Sequence, residues 1–309
     1  MHDRPEQSPL RSGWAANPWH WPPLKRLRRR LRTWSNERYW TQPAAVVSRT
    51  TSARIVVTLT TSPKRLLGLE PVLKSLHNQS VPPDEIHLNI PHIFGRTGEP
   101  YTIPTWIQQF APKTIVYRTD DIGPATKNVP TFERFGVKDD VIILTVDDDV
   151  RYLPRTIEVL TTAVARDPSS AFGLSGYDLD DRGRNIYRTR TRSVQVLEGW
   201  AGWAIHRRAM ATGIAGYFSA CAPSRACFLH DDLVMSNWLA LQRVDRVRLF
   251  DPRANTRIMK RRGAQLASGY QSDALHQGAG GLASGLDPLG VREALIRLGQ
   301  WRVADTGTS

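Results

Sequence analysis

The sequence has only two cysteines among its 309 residues, too few for a disulfide framework, which excludes small cross-linked secreted scaffolds. It has no apolar run near the roughly 18 residues that a membrane-spanning helix needs. No apolar stretch of about 7–15 residues follows a basic start, so a secretory signal is not expected. No repeat runs along the chain, which removes solenoids and propellers. Acidic residues are scarce beside basic ones: 29 Asp and Glu against 42 Lys and Arg give a formal charge of +13. At 40% hydrophobic and 23% charged residues, the composition is still that of a globular chain with a core. At about 150 residues per domain, the length fits one large domain or two small ones. The class expected is a soluble, intracellular, basic protein.

Residues 1–50 hold ten Lys and Arg against three Asp and Glu, which is +7 of the +13. Within this stretch Leu24, Leu27, Leu31 and Trp34 recur at helical spacing inside an arc of about 80°. Lys25, Arg26, Arg28, Arg29, Arg30 and Arg32 fill the rest of the wheel, and Trp14, Trp19, Trp21, Tyr39 and Trp40 surround it. Such a segment suits an anionic membrane surface, where each basic residue contributes about 1 kcal/mol. A solvated tail and a nucleic-acid-binding arm are the competing readings, of which nucleic acid is the less favoured. Residues 1–50 are therefore set apart as a basic, Trp-rich tail or membrane-surface helix. The expected location is the cytoplasm, peripheral on the inner face of the membrane.

After Thr51 the texture changes to alternating strand and helix signals. Arg54–Thr60 and Val141–Val146 are β-branched runs typical of buried strands, and Glu85–Ile90 and Thr114–Tyr117 read as two more. Leu66, Leu69, Leu73 and Leu76 predict a helix over 66–77, and Pro154 opens another that runs to about Ala165. Further strands are expected at Ala171–Ser175 and Val194–Leu197, and helices around Val234–Leu241 and Val291–Leu298. Residues 259–287, rich in Gly, Ser and Ala, read as a mobile loop. Strands alternating with helices predict an α/β fold with a mixed, mostly parallel sheet flanked by helices.

Asp147-Asp148-Asp149 directly follows the most apolar strand, and ligands of open parallel sheets bind beyond the carboxyl ends of their strands. Extended geometry puts Asp147 and Asp149 on one side and Asp148 on the other. Three adjacent carboxylates repel one another, and a divalent cation offsets that; aspartate oxygens suit Mg2+ or Mn2+. Turn formation is the plain alternative, since Asp pairs also occur at 120–121, 139–140, 180–181 and 231–232. Cys221, Cys227 and His230 lack a fourth ligand for zinc, so the cysteines read as ordinary thiols.

The β-branched first strand, helix, second strand ending in Pro and strand-Asp-Asp-Asp resemble a GT-A glycosyltransferase of the family 2-like group, over residues 53–280. The resemblance implies a GT-A-like domain over 51–287, followed by a C-terminal helix and tail over 288–309. It also implies that the aspartate motif holds a nucleotide sugar's diphosphate through Mn2+ or Mg2+, with Asp147 and Asp148 at the donor. Asp147 and Asp149 match the outer motif positions, and Asp149 is the favoured direct ligand. His276 has the position of the family's C-terminal metal-site histidine. Thr60, Ser62 and Arg65 follow the first strand, where this fold seats the nucleoside. Lys127, in Asp121-Ile122-Gly123-Pro124-Ala125-Thr126-Lys127, falls where a basic residue faces the donor. Trp200, Gly202 and Trp203 lie in the Gly-rich stretch before the family's acidic motif and would meet the acceptor. In His230-Asp231-Asp232-Leu233, Asp232 aligns with the family's catalytic base and Asp231 is the fallback. Asp231 stands where the family has Glu, and helix capping explains either residue equally. No Gln-X-X-Arg-Trp motif occurs, which argues against a processive synthase.

The activity so implied is transfer of a sugar, by a hexosyltransferase-like enzyme, from a nucleotide-diphosphate donor to a hydroxyl of a glycan or lipid-linked acceptor, with inversion. The alternatives are a nucleotidyltransferase using Mg2+ at the Asp triplet and a non-catalytic basic protein that binds membranes or nucleic acid. Thr60-Thr61-Ser62-Pro63-Lys64-Arg65 has no glycine, unlike the loop nucleotidyltransferases place there. The basic-module view leaves the aspartates without a role.

Overall fold

A computed structural model describes residues 27, 31, 35–188, 190–254, 259–260, 262–266 and 286–303. The strands among them are β1 (Arg54–Leu59), β2 (Glu85–Pro91), β3 (Ile93–Phe94), β4 (Glu99–Pro100), β5 (Thr114–Thr119), β6 (Val141–Thr145) and β7 (Ala171–Gly173). They continue with β8 (Gly176–Leu179), β9 (Asn185–Ile186), β10 (Arg192–Ser193), β11 (Val196–Leu197), β12 (Trp203–His206) and β13 (Arg246–Arg248). Eight form one sheet in the order β10-β13-β7-β12-β6-β1-β2-β5. β5, β2, β1 and β6 run parallel; β12 runs against both β6 and β7, β13 runs with β7, and β10 runs against β13. The mixed, mostly parallel α/β sheet expected from the sequence is thus present.

The two central strands explain themselves. β1 and β6 are buried almost throughout, so Ile, Val and Leu occupy both faces, as a strand between helical layers requires. Between β1 and β2 the single helix expected over 66–77 is two, Pro63–Leu66 and Glu70–His77. Gly68 falls between them and Pro71 starts the second, yet Leu66, Leu69, Leu73 and Leu76 are all buried, so the periodicity survives the break. The helix after Pro154 begins at Thr156 and ends at Arg166. The last helix, Pro288–Arg297, opens on Asp287, whose side chain accepts from the Gly290 N–H at 2.9 Å. Val291, Ala294, Leu295 and Val303 belong to the same core cluster as β6 and β12, which ties this C-terminal segment to the central sheet.

β12 was not anticipated. Its four residues are buried, and Trp203 stacks on Phe132 with ring centroids 6.1 Å apart and planes 16° from parallel. Trp203 pairs with Thr145, so the reversed strand starts where β6 ends. The segments after β1, β2 and β6 and the segment before β12 therefore meet at one edge of the sheet.

The chain divides at Gln42–Pro43 into two units. In the first, residues 35–41 are helical and the Tyr39 and Trp40 rings meet edge to face at 5.2 Å. The basic stretch 24–34 lies outside the described residues except for Leu27 and Leu31, which are helical and exposed. No described helix is long and apolar enough to cross a membrane.

Trp203→Ala is expected to destabilise the fold by roughly 3–5 kcal/mol, the cost of emptying a large aromatic site. Urea unfolding should show a lower midpoint with an unchanged slope.

Candidate active site

At the carboxyl edge of the parallel strands the chain encloses a cavity of about 370 Å³. Thr60, Ser62 and Arg65 line it after β1, and Asp147, Asp148 and Asp149 line it after β6. Lys127, Trp200, Asp231 and Asp232 close it from the other elements. These ten residues, far apart in sequence, share one space.

Lys127 occupies the centre. It ends a short 3-10 turn, Ala125–Lys127, and its side chain is buried. The backbone carbonyl of Lys127 accepts hydrogen bonds from the Thr58 hydroxyl and from Asn89 Nδ2. Thr131 joins this buried network, with its hydroxyl 2.7 Å from that of Thr58. Lys127 Nζ lies 2.8 Å from Asp147 Oδ1, 2.9 Å from Asp231 Oδ2 and 3.5 Å from Asp232 Oδ1. Burial opposes the ammonium charge, but these three carboxylates outweigh it and hold the pKa well above the usual lysine value. The contact with Asp147 is a hydrogen bond and those with Asp231 and Asp232 are ion pairs, so Lys127 is engaged by the protein's own acids at the cavity wall. Gly199 lets the backbone close over this ion: a Cβ there would sit 2.6 Å from Lys127 Nζ and 3.0 Å from Asp147 Oδ1.

The aspartate triplet points three ways. Asp148 is clamped inward, accepting from Thr61 Oγ1 at 2.6 Å and from Arg65 Nη1. Both of its oxygens are used by the fold, which turns the expected Arg65 and Asp148 donor contacts into a structural pair on the cavity wall. Asp147 takes Lys127, and its backbone N–H donates to the Tyr152 hydroxyl at 2.8 Å. The Asp149 carbonyl accepts from the Leu266 N–H at 2.8 Å, while its carboxylate has no hydrogen-bond or ion-pair partner among the described residues. Burial, with Asp148 and Asp147 adding to it, raises its pKa to about 7.

Asp231 and Asp232 start the helix Asp231–Leu241. Asp232 Oδ1 accepts from the Gly199 N–H at 3.1 Å. Burial raises both carboxyl groups, most strongly Asp232, while Lys127 opposes it and their mutual repulsion adds to it. The Asp231 side chain is 9% exposed and that of Asp232 22%, so Asp232 is the more open to the cavity. His230 before them is buried, and burial pushes its imidazole down to about 4, with Asp287 opposing and Lys127 reinforcing the shift.

Three expected residues are placed elsewhere. Trp203 is a core side chain, 1% exposed, and the packing that stacks it on Phe132 removes it from the acceptor set. Gly202 sits at φ +88 in the turn entering β12, beside Leu160, Val146 and Tyr152 and off the cavity wall. His276 lies outside the described residues. Among the described residues no three His, Cys, Asp or Glu side chains converge as a ready metal cage. Cys221 and Cys227 are buried free thiols.

Other contributors went unrecognised. The Tyr152 hydroxyl donates to the carbonyls of Asp147 and Trp200, at 3.3 and 3.2 Å, tying the triplet to the turn before β12. Asp121 accepts from the N–H groups of Gly95 and Gly123 at 2.6 and 2.7 Å. Gly123 has φ +72, and a Cβ there would meet the Phe228 carbonyl at 2.7 Å, so the turn carrying Lys127 packs directly on the segment leading to Asp231. Glu198 lines the cavity beside Trp200. The Gly-Pro turn and the acid opening the Gly-rich stretch were the available signals for the last two.

No protein-family model matches the chain, and no curated protein does. Solved structures do resemble it. One is GalNAc-T7 with UDP, GalNAc and Mn2+, at 10% identity and a TM-score of 0.42, covering 64% of this chain and 42% of that one. Another is the mannosyltransferase PcManGT from Pyrobaculum calidifontis in complex with GDP-Man and Mn2+, at 13% identity and a TM-score of 0.42, covering 90% of this chain and 83% of that one. The chain therefore spans less than half the length of the first.

The lowered His230 pKa predicts a pH-dependent stability term. The unfolded imidazole, near 6.5, binds a proton that the folded one refuses down to about 4. This contribution is complete above pH 6.5 and is lost as pH falls through that window, at up to about 1.4 kcal/mol per pH unit. The stability difference between wild type and His230→Gln, from urea unfolding across the window, should shrink with that slope; a constant difference would contradict it.

Proposed function

We propose that this protein is a metal-dependent glycosyltransferase that moves a hexosyl group from a nucleoside-diphosphate sugar to a hydroxyl of a glycan or lipid-linked acceptor. The observation that carries the proposal is one cavity in which a strand-end aspartate triplet and a helix-start aspartate pair are joined through Lys127. Phosphate handling needs a cation, and hydroxyl activation needs a base; the two sets of carboxylates supply one site for each.

The residues present fit a hard divalent cation. The Asp149 carboxylate lines the cavity with no ion-pair partner among the described residues, and burial beside Asp148 and Asp147 disfavours its charge, which a bound cation would offset. Asp149 and Asp147 would hold Mn2+ or Mg2+, with substrate oxygens and water completing the shell, as is usual for Mg2+; His276 is proposed as a further ligand. When bound, the cation offsets the charge that develops on the departing diphosphate.

The chain's own groups do the rest. Thr60 and Ser62 border the nucleoside end of the cavity, and the Arg65–Asp148 pair stiffens that wall. Trp200 offers an aromatic surface to the acceptor. Asp232 takes the proton of the acceptor hydroxyl as that oxygen bonds to the anomeric carbon, and the bond to the diphosphate breaks with its electron pair leaving on phosphate. Burial strengthens Asp232 as a proton acceptor, which favours it as the general base. Asp231, held 2.9 Å from Lys127 Nζ, keeps the ammonium in place. One displacement at one face inverts the anomeric centre. The basic segment 24–34 would bring the enzyme to an anionic membrane surface on the cytoplasmic side, where lipid-linked acceptors are found.

The test is a calorimetric titration with UDP-, GDP- and CMP-linked sugars, with and without Mn2+. One donor should bind only with the metal, and Asp149→Asn should abolish that dependence. No metal-dependent binding to any donor would refute the proposal. With the donor identified, Asp232→Asn should retain its affinity while lowering kcat by about 10²–10⁴. An NMR spectrum showing a product with the donor's anomeric configuration would overturn inversion.

A further inference from the structure

Glu198 has no part in the chemistry above, yet it lines the cavity half-buried and held by hydrogen bonds. It follows β11 and precedes the 3-10 turn Gly199–Ala201. Ser175 Oγ donates to Glu198 Oε2 at 2.5 Å and the Tyr187 hydroxyl donates to Oε1 at 3.0 Å. The backbone N–H of Glu198 donates to the Ser175 carbonyl at 3.2 Å. Burial raises its pKa against these hydrogen bonds. Trp200 is a third side-chain donor to Glu198, which still leaves acceptor capacity on a carboxylate with about four lone-pair sites.

Its neighbour in sequence fixes its relation to the base. Gly199, the next residue, donates its N–H to Asp232 Oδ1, and Glu198 and Asp232 are close enough for each charge to weigh on the other. Glu198 and Asp232 thus line the same cavity on either side of the Gly199 N–H. A phosphate or carboxylate there would meet Glu198, Asp231 and Asp232 together, three carboxylates against Lys127, which Asp147 shares, and Lys260, which lies 4.9 Å over the Trp200 ring.

We propose that Glu198, oriented by Ser175 and Tyr187, is the specificity-determining contact for the acceptor, taking a second hydroxyl of an uncharged sugar beside the one that reacts. The acceptor end is then a neutral carbohydrate with neighbouring hydroxyls and not a phosphate- or carboxylate-bearing group. This rests on the glycosyltransferase proposal for the assignment of Asp232. The principle is general: a buried group built to bond a hydroxyl discriminates strongly against ligands that cannot supply one.

The experiment is equilibrium binding of methyl glycosides of glucose, galactose and mannose, and of the corresponding sugar 6-phosphates, in the presence of Mn2+ and UDP or GDP. At least one neutral glycoside should bind wild type, its 6-phosphate about tenfold or more weakly. Glu198→Gln should weaken the neutral glycoside about tenfold. Tyr187→Phe, which keeps the exposed ring and its contact with Tyr177, should weaken it by a smaller factor, which separates misorientation of Glu198 from misfolding. Equal affinity of the 6-phosphate, unchanged affinity in both variants, or no glycoside binding to wild type would each overturn the proposal. Failure of the transferase proposal itself would appear separately, as absence of metal-dependent donor binding with glycoside binding intact.

Discussion

The site depends on one buried ammonium. Removing a lysine from water costs several kcal/mol unless oxygens replace its hydration, and Lys127 finds three carboxylates within 3.5 Å. The dependence is mutual, because Asp147, Asp231 and Asp232 would otherwise face one another unpaired. Lys127 thus locks the end of β6 to the start of a helix more than eighty residues further along the chain. The surrounding polar groups fix where it stands: Thr58, Asn89 and Thr131 hold its backbone, and two glycines, 123 and 199, allow main chain to approach where a methyl group would collide.

That lock gives three consecutive aspartates three different environments. Asp148 is absorbed by Thr61 and Arg65, Asp147 by Lys127, and Asp149 by nothing described. Identical side chains one residue apart therefore differ in how far the fold pairs them, Asp149 least. Pairing sets the division, since alternation along an extended chain separates only Asp148 from its neighbours.

The parts of the fold legible in the sequence were those decided locally. β1 and β6 are β-branched runs buried on both faces, and the leucines at 66, 69, 73 and 76 meet the core despite a helix break at Gly68. The Asp triplet was legible because an acidic run after an apolar strand has few structural uses. Trp200 and Trp203 were not separable: they lie three residues apart in a Gly-rich stretch, and only the pairing of β12 between β6 and β7 sends Trp203 into the core while Trp200 stays at the cavity. The partners of Lys127 were equally hidden, because no local pattern encodes an ion pair between Lys127 and a helix start at 231. Glu198 was visible as a residue but not its partners, Ser175 and Tyr187, which flank the β8–β9 hairpin.

The reversal of β12 has a consequence for two-substrate chemistry. In a wholly parallel sheet, the residues before each strand lie at the amino edge, away from the ligand crevice. Because β12 runs against β6, the turn before it reaches the carboxyl edge, and Glu198, Gly199 and Trp200 come to lie beside the Asp triplet. The parallel half, β1, β2 and β6, contributes hydroxyls, Arg65 and Asp149; the reversed half contributes Glu198, Trp200 and the backbone N–H that holds Asp232. The change of strand direction between β6 and β12 divides the cavity into two chemically unlike halves that share a boundary at Asp147 and Lys127. A transfer between two bound molecules needs such a boundary, with leaving-group charge handled on one side and hydroxyl deprotonation on the other, and one ammonium bonded to carboxylates of both halves holds them in fixed register.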